Sequence, residues 1–427
     1  MSSPSSRAPV DFGVDPARLF PQPELHHFDN GLTVALLVNR QAPIVSSALW
    51  LRCGSWDDPP GQGGIAHFLE HMMFKGSASY GPGEVDRLTR MWGGSNNAFT
   101  SHLATVYTFT FARHCWRIAL DLERDRIAAL NLDPVEVASE RQVILEELAM
   151  YEADPWDALD QAVASTLWGA HPFGRPVIGT RAELVDTDAP ELRAFHQTWH
   201  QPANAVLVLA GDLEADAVDF VAERFADLPG SLASHPEASA PPTLDFTRHE
   251  RHTGDVTRML WAFRAPAANH PDHTRLRLLL GVLTAGRTSR LSRRLVDEGQ
   301  LCTWVASDLS ESRDASQATL NAELVPGVEP EQVEAVIRAT LDELRTTPPE
   351  AAELARVRHL LLSDRIFGLE RIHQQAMAIG GALALFDLDH PRRQLEAMLT
   401  TSADALPAVA GRWLDPEAGS VLGWSLP

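Results

Sequence analysis

Residues 63–76 read GGIAHFLEHMMFKG. The stretch opens from a glycine-rich loop at 61–64, is amphipathic, and predicts a helix that stops at Gly76. On such a helix His67 and His71 are four positions apart and share one face, so both imidazoles reach a single ion. Glu70 falls at the edge of that face, where it can take a proton from a water beside the ion without being a ligand itself.

Two imidazoles are not enough, because catalytic zinc takes three protein ligands and keeps one position open. A carboxylate is needed, and the predicted helix SERQVILEELAMYE at 139–152 supplies Glu140, Glu146, Glu147 and Glu152. Val143, Ile144, Leu148 and Tyr151 read as its apolar, inward face. Glu140 and Glu147 lie along that face, whereas Glu146 points away. A carboxylate among core residues is costly unless an ion or hydrogen bonds compensate it. Glu147 is therefore the better ligand and Glu146 the better solvated neighbour.

The chain around these segments has 427 residues, 44% hydrophobic and 22% charged, which are globular values. That length suggests more than one domain. The formal net charge of -21 argues against nucleic-acid or anionic-membrane partners, since phosphates would be repelled. An acidic chamber would favour basic, extended peptides, while the same surplus on an outer face serves only solubility. Lys75 is the only lysine; every other basic side chain is arginine. Cys53, Cys115 and Cys302 lie far apart, with no Cys-x-x-Cys pair, and read as buried free thiols. No apolar run reaches the ~18 residues of a membrane span, and no secretory signal is visible, so the expectation is a cytoplasmic protein, with a periplasmic mature form left open.

Strands are expected at 32–38 (LTVALLV), 44–52, one or two within 96–111 and at 204–210, with helices at 114–130, 133–152, 155–168 and 214–226. Residues 229–242, PGSLASHPEASAPP, have the composition of an exposed connector. Beyond it a strand at 256–263 precedes helices at 272–283, 289–297, 330–346 and 348–379. Strands and helices in runs, without strict alternation, favour α+β. The expected organisation is an extension at 1–22, a metal-binding domain at 23–228, a linker at 229–243 and a second domain at 244–427.

His67-Phe-Leu-Glu70-His71 inverts the order of the common zinc-protease helix motif. With its flanks it resembles the pitrilysin-type inverzincin metallopeptidases, in particular the half-size branch related to the mitochondrial processing peptidase subunits. The likeness continues through Gly93-Gly94-Ser-Asn-Asn97-Ala98-Phe99-Thr100, Glu140-Arg-Gln-Val-Ile-Leu-Glu146-Glu147, His171-Pro-Phe-Gly174 and Gly211-Asp212. The resemblance implies two homologous α+β domains, each a mostly antiparallel sheet packed with helices, the second a degenerate copy. It implies a zinc-dependent endopeptidase or peptide-processing subunit with one zinc ion held by His67, His71 and Glu147. Glu70 would be the catalytic base and Glu140 a supporting acid at the site. The edge at Asn97, Ala98, Phe99 and Thr100 would grip an extended peptide substrate by strand addition.

One departure matters. Members that complete the site with their second half carry an Arg and, seven residues later, a Tyr after a Ser-Arg-Leu block. Aligning on Arg290-Leu291 puts Val296 and Thr303 at those places. Either the register differs there, or the chain works as a heterodimer with a paralogous subunit that lacks the zinc motif and supplies the pair; a homodimer remains open. The rival reading is a metal-retaining structural or binding subunit. His270 and His273 are the second half's nearest approach to a histidine pair and are expected in a loop.

Overall fold

The computed structural model describes Asp15, residues 19–252 and residues 255–427. Most of the expected extension at 1–22 therefore lies outside the described residues. Two sheets divide the chain. The first is built from β1 (Glu24–His27), β2 (Thr33–Val38), β3 (Ile44–Leu51), β4 (Ser95–Thr100), β5 (Thr105–Ala112) and β6 (Ala205–Gly211) in the order β1-β2-β6-β3-β5-β4. The second contains β7 (Thr247–His252), β8 (Arg258–Pro266), β9 (Cys302–Leu309), β10 (Ala315–Leu324) and β11 (Ser420–Leu426) in the order β7-β11-β8-β10-β9.

The second sheet repeats the first without β1. In each, one parallel pair, β2 with β6 or β7 with β11, is followed by three antiparallel neighbours. The architecture is thus α+β, with two related domains of mostly antiparallel sheet and helix. Residues 229–242 carry no helix or strand and connect the two sheets.

Four helices position the site: α1 (Ile65–Met72), α2 (Pro134–Ala153), α3 (Pro155–Trp168) and α4 (Ile372–Leu385). The two halves exchange the last two. Leu159, Val163 and Leu167 of α3 pack on Leu260, Ala262 and Val421 of the second sheet. Ile372, Ala376 and Ile379 of α4 pack on Ala48, Trp50, Val206 and Val208 of the first. Central strands such as β6 are consequently buried along their whole length, which is why AVLVLAG is a continuous apolar run rather than an alternating one. Each fully buried Leu, Ile or Val contributes about 1.5–3 kcal/mol, so the exchange joins the halves through a large apolar area. At the α4 contact Gly380 is required, because a Cβ there would stand 2.1 Å from Trp50 Nε1.

Three expectations are corrected. The stretch 348–379 is not one helix but two, Ala351–Phe367 and α4, separated at Gly368–Arg371 so that α4 can cross to the other half. His273 is not in a loop but buried within the helix Pro271–Thr284, its Nε2 3.0 Å from Ser310 O, while His270 stands just before that helix as its cap, accepting from Asp272 N at 3.0 Å. On α2 the buried strip is Val137, Glu140, Ile144, Leu145 and Leu148, whereas Val143 and Tyr151 are 46% and 45% exposed. All three cysteines are free and buried.

Candidate metal centre

Local chemistry sets α1 in place. Its N-cap, Gly64, has φ 87, and a Cβ on it would meet Ile178 O at 2.2 Å, so the loop backbone lies directly against the 178–179 backbone. The buried Asp58 carboxylate accepts from Gly64 N at 2.7 Å and from Ala66 N at 3.1 Å, satisfying two of the free donors that open a helix. Ile65, Phe68, Leu69 and Met72 then enter the core of the first half, and His67 and His71 face α2.

α2 starts at an Asp133 cap, with Pro134 in the first turn, and runs long enough to carry both Glu140 and Glu147 past α1. Glu147 Oε2 lies 3.4 Å from His71 Nε2 and 3.8 Å from His67 Nε2. One ligand atom from each of the three residues lies within 4.8 Å of the others. Separations of 3.4 and 3.8 Å exceed a good hydrogen bond of about 2.7–3.2 Å. Two donors around one tetrahedral ion with zinc bonds of about 2.0–2.2 Å stand roughly 3.3–3.5 Å apart; the His71 separation falls in that range and the His67 separation is a few tenths of an ångström wider.

Protonation follows from burial. Desolvation, with the adjacent His71, pushes His67 down to about 3, so its imidazole is neutral. Its Nδ1 is buried without a hydrogen-bond partner. For His71 burial acts in the opposite sense to its neighbours, and the Glu140 hydrogen bond with the Glu70, Glu140 and Glu147 charges holds it above the ordinary value. Burial raises the Glu70 carboxyl, against a hydrogen bond from Thr100. Two imidazoles and a carboxylate, their ligand atoms converging on one point, form a donor set that a divalent cation fits.

Glu140 sits one layer out. Its Oε1 is 2.9 Å from His71 Nδ1 and its Oε2 is 2.5 Å from Lys75 Nζ. Glu146 is exposed, away from the cluster. Thr100 turns its hydroxyl to Glu70 Oε2 at 2.6 Å. Ala98, Phe99 and Thr100 line a cavity of about 800 Å³ that also holds His67, Glu70, His71 and Glu147. Asn97 is not among its lining residues; its carbonyl accepts from Thr108 Oγ1 at 3.2 Å. β4 ends the sheet, so one edge of it has no strand partner among the described residues. Arg251 of the second half also reaches the cavity, donating to Ala158 O at 2.7 Å.

Sequence reasoning missed two of these partners, Lys75 on Glu140 and Tyr151, whose hydroxyl donates to Glu147 Oε1 at 3.2 Å. The second had a usable signal, since a tyrosine four residues after a glutamate on a helix lies beside it.

Comparison with known proteins gives matches to Insulinase (Peptidase family M16) over residues 33–181 and to the Peptidase M16 inactive domain over residues 186–361. The chain belongs to peptidase family M16. An uncharacterized zinc protease of Mycobacterium leprae (strain TN) is 28% identical over 386 residues, covering 87% of this chain and 86% of that one. Zinc protease PqqE of Helicobacter pylori (strain ATCC 700392 / 26695) is 27% identical, covering 82% and 81%. A crystal structure of a protease from Helicobacter pylori superposes with a TM-score of 0.89 at 25% identity, over 96% of this chain and all of that one. A putative M16-like peptidase from Alicyclobacillus acidocaldarius shares the fold with a TM-score of 0.83 at 21% identity, over 95% of this chain and 98% of that one. The candidate metal cluster of this M16 chain lies within the first match, and the inactive-domain match begins at residue 186, before β6, and runs into the second half. Among the described residues no helix is long and apolar enough to cross a membrane.

Proposed function

We propose that this chain is a zinc-dependent endopeptidase of the inverted H-x-x-E-H type, acting on extended peptides. The observation that carries the reading is the convergence of His67, His71 and Glu147, with Glu70 beside them on the same cavity wall. Zinc, when bound, supplies a Lewis acid that makes water acidic near neutral pH and polarises the scissile carbonyl. His67 and His71 would hold it through Nε2 and Glu147 through its carboxylate. Glu70 takes the proton of the attacking water and passes it to the leaving amine. Thr100 holds the Glu70 carboxylate in one orientation. The open edge of β4 accepts substrate backbone as an added strand, a grip that tolerates many sequences.

The second half offers no Arg/Tyr pair at the aligned places. Val296 packs half-buried against the core of that half, Thr303 Oγ1 turns to Glu323, and Trp304 lies against Trp156 at 5.3 Å. A paralogous partner supplying Arg and Tyr across the cavity is the reading that fits, and the chain alone is then weakly active. Glu70→Gln should retain zinc and lose hydrolysis by more than about a hundredfold. Activity retained in that variant rejects the mechanism. Absence of cleavage both alone and with a motif-lacking paralog favours a non-catalytic, metal-retaining subunit.

A further inference from the structure

Lys75 is the single lysine among 36 basic side chains. It lies just beyond the end of α1 and reaches back to the carboxylate that holds His71. That carboxylate, on Glu140, is 6% exposed, and its two oxygens are divided between the two partners. We propose that Lys75 is a positioning residue for the metal centre. Its ammonium anchors one oxygen of Glu140, so the other stays on His71 Nδ1 and the ring is held with Nε2 turned toward Glu147 and the ion. The inference rests on the zinc-peptidase reading above.

A carboxylate this deeply buried is unfavourable unless a cation compensates it. With the ammonium removed, nothing anchors Oε2, the carboxylate is free to turn, and the contact to Nδ1 that fixes a ligating imidazole is loosened. The position also explains why lysine stands here in a chain that otherwise uses arginine. An ammonium is a point charge that engages one oxygen and leaves the other on His71. A guanidinium fork would engage both oxygens and pull Oε1 away.

The test compares zinc affinity, by competition with a chromophoric chelator, for wild type, Lys75→Met, Glu140→Gln and the double variant. Lys75→Met should bind zinc at least ~10-fold more weakly, within the ~10–100-fold range of such outer partners. In the Glu140→Gln background it should cost nothing further, because there is no longer a charge to hold. Wild-type affinity in Lys75→Met, or additive losses in the double variant, overturns the proposal. If Lys75→Met does not fold, acylation of the folded wild type neutralises the same amine, its only side-chain amine. Zinc affinity should fall to the same degree, and unchanged affinity in the fully acylated chain overturns the proposal as well. Affinity is read without turnover, so a chain that binds zinc yet cleaves nothing defeats the peptidase reading and not this one.

Discussion

Thr100 Oγ1 donates a 2.6 Å hydrogen bond to Glu70 Oε2, tying the edge strand to the helix that carries the histidine pair. A hydrogen bond to a charged group contributes about 1.5–3 kcal/mol, and here it acts against the burial that raises the Glu70 carboxyl. Thr100→Val should lower kcat/KM by about tenfold or more at unchanged zinc content, whereas Thr100→Ser keeps the donor and the rate. Equal kinetics for the two variants would show that the contact is incidental.

Metal should stabilise this chain increasingly with the logarithm of its concentration. A ligand at a hundred times its Kd adds about 2.7 kcal/mol to the folded state. Zinc titration should therefore raise the Tm of the chelator-treated protein, with His67→Ala and Glu147→Ala showing little of the rise. Calorimetry at several zinc concentrations measures it, and a Tm indifferent to zinc would count against an ordered site.

Acid should unfold the protein through its buried histidines. Burial pushes His102 and His196 down to about 4, from an ordinary value of 6.5. Their folded forms stay neutral while the unfolded chain binds protons below pH 6.5. The stabilisation is fully present above 6.5 and is lost as pH falls toward 4, by up to about 3 kcal/mol for each. Urea unfolding of zinc-free protein at pH 7, 5.5 and 4.5 should show a falling midpoint. His196→Gln should flatten that slope.

The seam between the halves should be sensitive to one methyl group. Gly380→Ala places a Cβ 2.1 Å from Trp50 Nε1, and overpacking of this kind costs about 1–3 kcal/mol. Trp50→Leu in the same chain opens space and should return part of the loss. A Tm for Gly380→Ala equal to wild type would mean that α4 shifts freely on the sheet.

Much of the candidate site was legible because it is local. His67, Glu70 and His71 sit on one helix, where spacing alone dictates which side chains share a face. Helical period likewise separates Glu147 from Glu146 on α2. The same periodicity misjudged Val143 and Tyr151, because apolar residues mark the buried side only where something packs on them. Val143 is exposed, and Tyr151 stands at the cavity, where its hydroxyl finds Glu147.

The order of residues along this chain by itself determined most of the elements and the chemical character of the metal-binding helix, since those depend on neighbours within a few positions. Only the tertiary structure decided that Lys75 meets Glu140, that Thr100 meets Glu70, and that α3 and α4 trade places between the sheets. Those contacts join segments separated by tens to hundreds of residues. Their formation is set by strand order and by which apolar faces remain uncovered once each sheet has closed, and no local spacing carries that information.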